Sequence, residues 1–275
     1  MAGQPEITNM AMFCDFENIA LGVREAKYAQ FDIKKVLERL LLKGSIVVKK
    51  AYCDWDRYKE FKATMHEAAF ELIEIPHVRQ SGKNSADIRM VVDALDLCYT
   101  KSHVDTFVII SGDSDFSPLV SKLRENNKYV IGIGVKDSTS DLLSANCDEF
   151  IFYDDLVREQ EAQKKRAEKK SPAKISAGGT AKKSRLKPED DKRQEALDFI
   201  VETIEALIAE RGEEKVWYSM VKPTMQRRKP GFAESAYGYR SFKELVEDAQ
   251  KNNLLMMVRD EKAGQYTIRL PAVEE

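Results

Sequence analysis

Met10-Ala-Met-Phe-Cys-Asp-Phe-Glu-Asn18 and Thr106-Phe-Val-Ile-Ile-Ser-Gly-Asp-Ser-Asp-Phe116 are two apolar runs that each stop at a carboxylate. A short apolar run that ends so sharply reads as a buried strand. One strand ending at Asp15 and another ending at Asp113 and Asp115 would bring three carboxylates to one sheet edge. Like charges gathered there repel one another unless a cation joins them. The pattern therefore predicts a divalent metal and chemistry on phosphate.

The residues around these two runs alternate between strand and helix patterns. Asp32 is a predicted N-cap, and Ile33, Val36, Leu37, Leu40 and Leu41 mark a helical face that ends before Gly44. Ser45–Tyr52 reads as a strand, Arg57–Phe70 as a helix and Leu72–Ile75 as a strand stopped by Pro76. Ser85 caps a helix reaching about Cys98, and Thr106–Ile110 is a buried strand. Ser117–Asn126 is predicted helical, with Pro118 in its first turn. Tyr129–Ile133, Leu142–Ala145 and Glu149–Tyr153 follow as strand, short helix and strand. Such alternation implies an α/β fold, a parallel Rossmann-like sheet covered on both faces. Sites in these sheets lie at the carboxyl ends of the strands. Asp15, Asp54, Asp113 and Asp115 all follow strands in that sense.

Beyond residue 156 the character changes. Between Arg158 and Arg193 there are 13 Lys/Arg against 6 Asp/Glu, although the whole chain carries a net charge of −2. Residues 160–170 suit a solvated helical extension, and Ser171–Ser184 has small residues and almost nothing to bury. Residues 157–193 are thus expected to be a charged flexible linker, basic enough to engage nucleic acid locally. From Gln194 a helical face (Ala196, Leu197, Ile200, Ile204, Leu207, Ile208) runs to Gly212. Helices over Tyr218–Gln226 and Phe242–Asn252 follow, with Pro223 expected only near a helix start. Two short β-type runs, Leu254–Arg259 and Tyr266–Leu270, flank Gly264. Helices followed by a hairpin predict a small α+β winged-helix unit over 194–271.

A length of 275 residues and a hydrophobic content of 43% suit two domains with real cores. No apolar run approaches the roughly 20 residues of a membrane span, so no membrane role is expected. The N-terminus lacks a basic segment followed by an apolar one, which argues against a signal peptide. Cys14, Cys53, Cys98 and Cys147 are widely spaced, and only three histidines are present. A zinc site or a disulfide framework is not expected, and a cytoplasmic, reducing location fits.

Further motifs carry a functional reading and a plain one. The spacing of Asp15 and Asn18 lets both point from one loop to the sheet edge, one as metal ligand and one to orient a ligand or water. Loop capping is the plain alternative. Gly112 permits a tight turn, so Asp113 and Asp115 can share an ion, and Asp115 can instead cap the helix that follows. Asp87 lies in a first helical turn that suits a carboxylate by itself. Met90, Val91 and Ala94 turn that helix inward and bring Asp87 to the edge, whereas Asp93 points elsewhere. Lys83 either contacts a phosphate or is an ordinary exposed lysine. Gly132-Ile-Gly-Val lacks the third glycine of a dinucleotide loop, so no nucleotide cofactor is expected and Ser138–Ser140 is read as a polar loop near the acids. In the C-terminal unit Arg227, Arg228, Lys229, Tyr239 and Arg240 mix basic and aromatic groups, as RNA-binding surfaces do. The plain alternative there puts Phe232, Tyr239 and Phe242 in the core.

Residues 8–156 resemble a NYN domain, of the LabA-like branch of the PIN-like nuclease superfamily. The resemblance rests on Phe13-Cys-Asp-Phe-Glu-Asn18, Ala51-Tyr-Cys-Asp-Trp55, Lys83-Asn-Ser-Ala-Asp87 with Val92-Asp-Ala-Leu95, Ser111-Gly-Asp-Ser-Asp-Phe116 and Leu142-Leu-Ser-Ala-Asn-Cys-Asp148. Residues 194–271 are similar to an OST-HTH (LOTUS) domain through Phe232 and Tyr237-Gly-Tyr-Arg-Ser-Phe242. The first resemblance implies a Mg²⁺- or Mn²⁺-dependent ribonuclease with Asp15, Asp87, Asp113 and Asp115 as metal ligands and Asn18 beside them. The second implies RNA binding or protein docking, and a second copy of the chain is a further candidate partner. The competing expectation is an RNA-binding regulator that does not cut. A haloacid dehalogenase phosphatase is disfavoured, because that family wants Asp-x-Asp-x-Thr/Val where this chain has Glu17 and Ile19.

Overall fold

The computed structural model describes residues 8–75, 85–170, 188–260 and 264–271. The chain divides into two compact units, Ile7–Pro172 and Ala173–Glu275. The first unit opens with β1 (Thr8–Asp15), α1 (Phe16–Glu25), α2 (Ile33–Lys43), β2 (Gly44–Cys53), α3 (Lys59–Glu67) and β3 (Glu71–Glu74). It continues with α4 (Ser85–Thr100), β4 (Thr106–Ile110), α5 (Ser117–Glu125), β5 (Tyr129–Gly134), α6 (Asp141–Asn146), β6 (Glu149–Phe152) and α7 (Tyr153–Lys170).

All six strands are parallel, in the order β3-β2-β1-β4-β5-β6. Side chains alternate across a strand, and β1 shows what that does. Met10, Met12 and Cys14 pack with Ile33, Trp55 and Tyr153 on one face. Ala11 and Phe13 pack with Met90, Phe107, Phe116 and Leu123 on the other. The sheet is thus a middle layer with apolar residues on both sides, as the continuous apolar runs require.

One helix departs from expectation. The segment after Asp15 is not a loop but α1, which starts at Phe16. Phe16 turns into the core. It is fully buried, with ring centroids of Trp55 at 4.9 Å, Phe61 at 5.0 Å and Tyr58 at 5.6 Å. Ile19, Gly22 and Val23 are the other buried residues of α1. The helix is stabilised mainly by this tertiary packing, which the sequence of a ten-residue segment does not advertise.

The second unit holds α8 (Pro188–Arg211), β7 (Val216–Trp217), α9 (Tyr218–Arg228), α10 (Phe242–Lys251), β8 (Met256–Arg259) and β9 (Tyr266–Arg269). Its sheet is antiparallel in the order β7-β9-β8. Helices and a hairpin come in the winged-helix order, with β7 added as a third strand. Gly212 ends α8 with a positive φ of 63°, where glycine carries no Cβ penalty. Pro223 lies well inside α9 rather than at its start, a departure that forgoes one ladder hydrogen bond. Of the predicted linker, residues 157–170 belong to α7 and 188–193 to α8. Residues 171–187 lie outside the described residues.

The aromatic cluster around Phe16 yields a direct check. Phe16→Ala is expected to cost about 3–5 kcal/mol. Denaturation followed by Trp55 fluorescence in a Trp217→Phe background should show the earlier midpoint, and an unchanged midpoint would refute this account of α1.

Candidate functional site

The site follows from strand order. The chain winds from β1 to β2 and β3 on one side, then returns to place β4 on the other side of β1. The crevice at the carboxyl ends of β1 and β4 is where the order reverses, and open α/β sheets bind ligands at such points. Cys14 pairs with Ile110 across this crevice, so Asp15 and Ser111 emerge side by side. Ser111 Oγ donates to Asp15 Oδ2 at 3.0 Å and accepts from the Asp113 N–H at 3.2 Å.

Asp15 also caps α1, its Oδ1 accepting from the Asn18 N–H at 3.4 Å. The capping reading of this residue therefore holds. Asn18 turns its Oδ1 to the Gly112 N–H at 2.8 Å. Its role is to hold the loop after β4, and that oxygen is already engaged. Gly112 is required here by a close approach, since a Cβ would lie 2.4 Å from the Ser138 carbonyl oxygen. Ser140 N–H then donates to the Gly112 carbonyl at 2.9 Å, so the predicted polar loop does sit beside the acids. Asp113 Oδ1 caps the short 3₁₀ turn Ser114–Phe116 by accepting from the Asp115 N–H at 2.9 Å. Asp115 itself is exposed, and Asp87 is half-buried in the first turn of α4. Asp93 points away, to Tyr52 Oη at 2.9 Å and Arg89 Nε at 3.0 Å.

The acids feel one another. Asp15 is only 8% exposed. Burial, then the charge of Asp87, pushes its carboxyl up to about 7, against the pull of its hydrogen bonds from Ser111 and Asn18. Asp87 is raised to about 6 by burial and then by the charges of Asp113, Asp115 and Glu17. Two residues of this environment escaped the sequence reading. Ser111 lies inside the quoted motif, but its bond to Asp15 becomes visible only once β1 and β4 are paired in register. Glu17, in the first turn of α1, joins Arg57 at 3.1 Å and adds to the field on Asp87.

Among the described residues, no three His, Cys, Asp or Glu side chains stand close enough to form a ready-made metal cage. The donors are all hard oxygens, which suit Mg²⁺ or Mn²⁺. Mg²⁺ commonly uses one or two carboxylates, several waters and the substrate phosphate rather than an all-protein cage. The residues therefore fit an open site of that kind. Lys83, the predicted phosphate contact, lies outside the described residues.

The basic and aromatic group of the second unit divides. Tyr239 is 2% exposed and donates to Asp248 Oδ2 at 2.7 Å. It is a core residue, and stacking on RNA is excluded for it in this fold. Phe232 and Phe242 are buried as well. Arg228 donates to Thr203 Oγ1 at 2.9 Å and pairs with Glu202 at 2.5 Å. Lys229 pairs with Glu195 at 2.7 Å and Tyr237 Oη at 2.8 Å. Arg227 is half-buried and reaches Thr224 Oγ1 at 2.9 Å, while Arg240 is exposed. Packing within the unit has claimed much of what looked like a binding surface.

The first unit is a PIN-like parallel α/β sheet with carboxylates at its switch point. The chain belongs to the NYN domain family, whose profile matches residues 9–154. It is 25% identical over 154 residues to the meiosis regulator and mRNA stability factor 1 of Xenopus tropicalis, covering 56% of this chain and 9% of that protein. An uncharacterized protein of Methanocaldococcus jannaschii is 27% identical over 169 residues, covering 62% of this chain and 65% of the other. Among solved structures, a protein of unknown function from Vibrio parahaemolyticus superposes with a TM-score of 0.50 at 27% identity. That match covers 56% of this chain and 98% of the other. The chain thus spans less than two thirds of the curated relatives it matches. Among the described residues no helix is long and apolar enough to cross a membrane.

The raised acids predict a pH signature. A carboxyl whose folded value lies above its unfolded one favours folding at low pH and loses that contribution as the pH climbs through the folded value. In chelator, Asp15→Asn should gain stability over wild type between about pH 4 and about pH 7, by a few kcal/mol. Urea titrations across pH check this, and a gap that stays constant with pH would contradict it.

Proposed function

We propose that this chain is a divalent-metal-dependent ribonuclease that hydrolyses RNA phosphodiester bonds at the crevice between β1 and β4. The observation that carries the proposal is the gathering of acids at the switch point, where burial and the charge of Asp87 raise Asp15 while burial and the charges of Asp113, Asp115 and Glu17 raise Asp87. A fold does not hold raised carboxylates together without a cause, and strongly perturbed groups in a cleft point to function. Asp15, Asp87, Asp113 and Asp115 would hold the ion, Mg²⁺ or Mn²⁺. Bound there, it would activate water and offset charge on the scissile phosphate. Asn18 and Ser111 act through the others: they fix the loop that carries Asp113. The Xenopus relative is named as an mRNA stability factor, which supports RNA as the substrate.

The C-terminal unit is read as an OST-HTH (LOTUS)-like module that binds RNA or docks a protein. Arg227, Arg228, Lys229 and Arg240 remain its proposed RNA contacts. Exposed ion pairs are weak enough, typically about 0–1 kcal/mol, for Lys229 to exchange Glu195 for phosphate. Four free thiols and an RNA substrate suit a cytoplasmic location.

A second reading, an RNA-binding regulator that does not cut, is favoured by one observation. No ready-made cage exists among the described residues, and one Asp113 oxygen is spent on the Asp115 N–H. One experiment separates the two. Purified wild type with Mg²⁺ or Mn²⁺ should cleave single-stranded RNA, and Asp113→Asn should lower the rate by at least about 100-fold. Equal cleavage by both removes the assignment. Salt-sensitive binding without cleavage in either metal establishes the regulator.

A further inference from the structure

Helix α4 has two apolar faces. Met90, Ala94 and Cys98 are buried on one, where they pack with Ala11, Phe13 and Phe107 of the sheet. On the side away from them Ile88, Val92 and Tyr99 are 63%, 57% and 65% exposed. Single exposed apolar residues are ordinary, but these form a series. With the partly buried Leu95, the stripe Ile88-Val92-Leu95-Tyr99 advances by four, three and four residues. That is the narrow seam with which one helix packs along another.

The charges beside the seam identify what covers it. Arg89 and Asp96 are both exposed and lie two turns apart on one flank. Arg89 reaches Asp93 at 3.0 Å within its own helix, whereas Asp96 has no ion pair among the described residues. Two turns span about 10 Å, too far for Arg89 and Asp96 of one chain to join. A second α4 laid antiparallel sets Arg89 beside the partner's Asp96, and two-fold symmetry makes that pair twice. The same register stacks Val92 on the partner's Leu95 and Ile88 on the partner's Tyr99. A parallel pair would instead oppose Arg89 to Arg89 and Asp96 to Asp96.

We propose that α4 is the contact through which two copies of this chain associate, antiparallel about a two-fold axis between Asp93 and Ala94. Leu142 of α6, 58% exposed and close to Ile88 and Val92, extends the apolar patch. The 16 residues of α4 span about 24 Å, so the seam is small beside permanent interfaces. The pairing is therefore reversible, with a dissociation constant on the order of micromolar. The acidic crevices do not oppose it. Asp87 lies in the first turn of α4, so the antiparallel arrangement keeps the two Asp87 carboxylates about 20 Å apart along the helices. An RNA strand is a poorer occupant, because the flank of the seam carries Asp93 and Asp96 against Arg89. The dimer stands whether or not the crevice cuts RNA.

Sedimentation of the full chain at increasing concentration, without metal or RNA, reads the pairing. Wild type should pass from monomer to dimer between about 1 and 100 µM. Asp96→Arg opposes like charge to the partner's Arg89, and Arg89→Glu opposes like charge to the partner's Asp96. Each variant alone should dimerise at least about tenfold more weakly. An equimolar mixture of the two should dimerise again, because both repelling contacts become attractive. Circular dichroism checks that each variant is folded. Should Arg89→Glu fold poorly for want of its bond to Asp93, Asp96→Arg decides alone, with Val92→Glu as the apolar counterpart that should also give monomer. A wild type that stays monomeric throughout, a dimer that Asp96→Arg leaves intact, or a mixture of folded variants that stays monomeric overturns the proposal.

Discussion

The parallel pairing of β1 with β4 is the constraint on which the site depends. Met10 to Asp15 is buried without interruption, and β1 has a strand bonded to each edge. Asp15 therefore cannot relax away from its neighbours. Ser111 is delivered opposite it by register alone, and its hydroxyl links the two strand ends at 3.0 Å. The loop after β4 is placed relative to that link. Asn18 reaches across from α1 to the loop after β4, and Asp113 follows from the same loop.

Carboxylates held this way make the metal-free unit less stable than its core would allow. Active sites often carry such local cost, offset by the surrounding structure. Here the offset is the packing on both faces of the sheet, including the Phe16 cluster directly under the site. The absence of a ready-made cage among the described residues gives the arrangement a particular character. An ion bound by few protein oxygens keeps coordination positions for water and phosphate. Open coordination of that kind favours exchange over tight storage.

Much of this was legible in the sequence, for identifiable reasons. Thr106–Ile110 and Met10–Cys14 read as buried strands because parallel strands covered on both faces are continuously apolar. The acids at their ends stood out because each apolar run stops there at a carboxylate. Asp32 capping α2 and Ser85 opening α4 followed from short-range rules that tertiary structure did not override. The misses are long-range. Helix α1 is secured by aromatic contacts from Trp55, Tyr58 and Phe61, about 40 residues away. Tyr239 looked like a stacking group, but Asp248 and the core of the second unit claim it. β7 is two residues long, and only pairing with β9 defines it.

The order in which the crevice is built has a further consequence for the growing polypeptide. β1 is made first, yet it ends up near the middle of the sheet, with β2 and β4 closing on it later. Non-local pairing of this kind is slow and leaves strand edges open meanwhile. Asp15 leaves the ribosome about 100 residues before Asp113 and Asp115, which complete its surroundings. An unfinished chain carries the first acid without the pocket, so any power to cut RNA is withheld until the sheet domain has been translated almost in full.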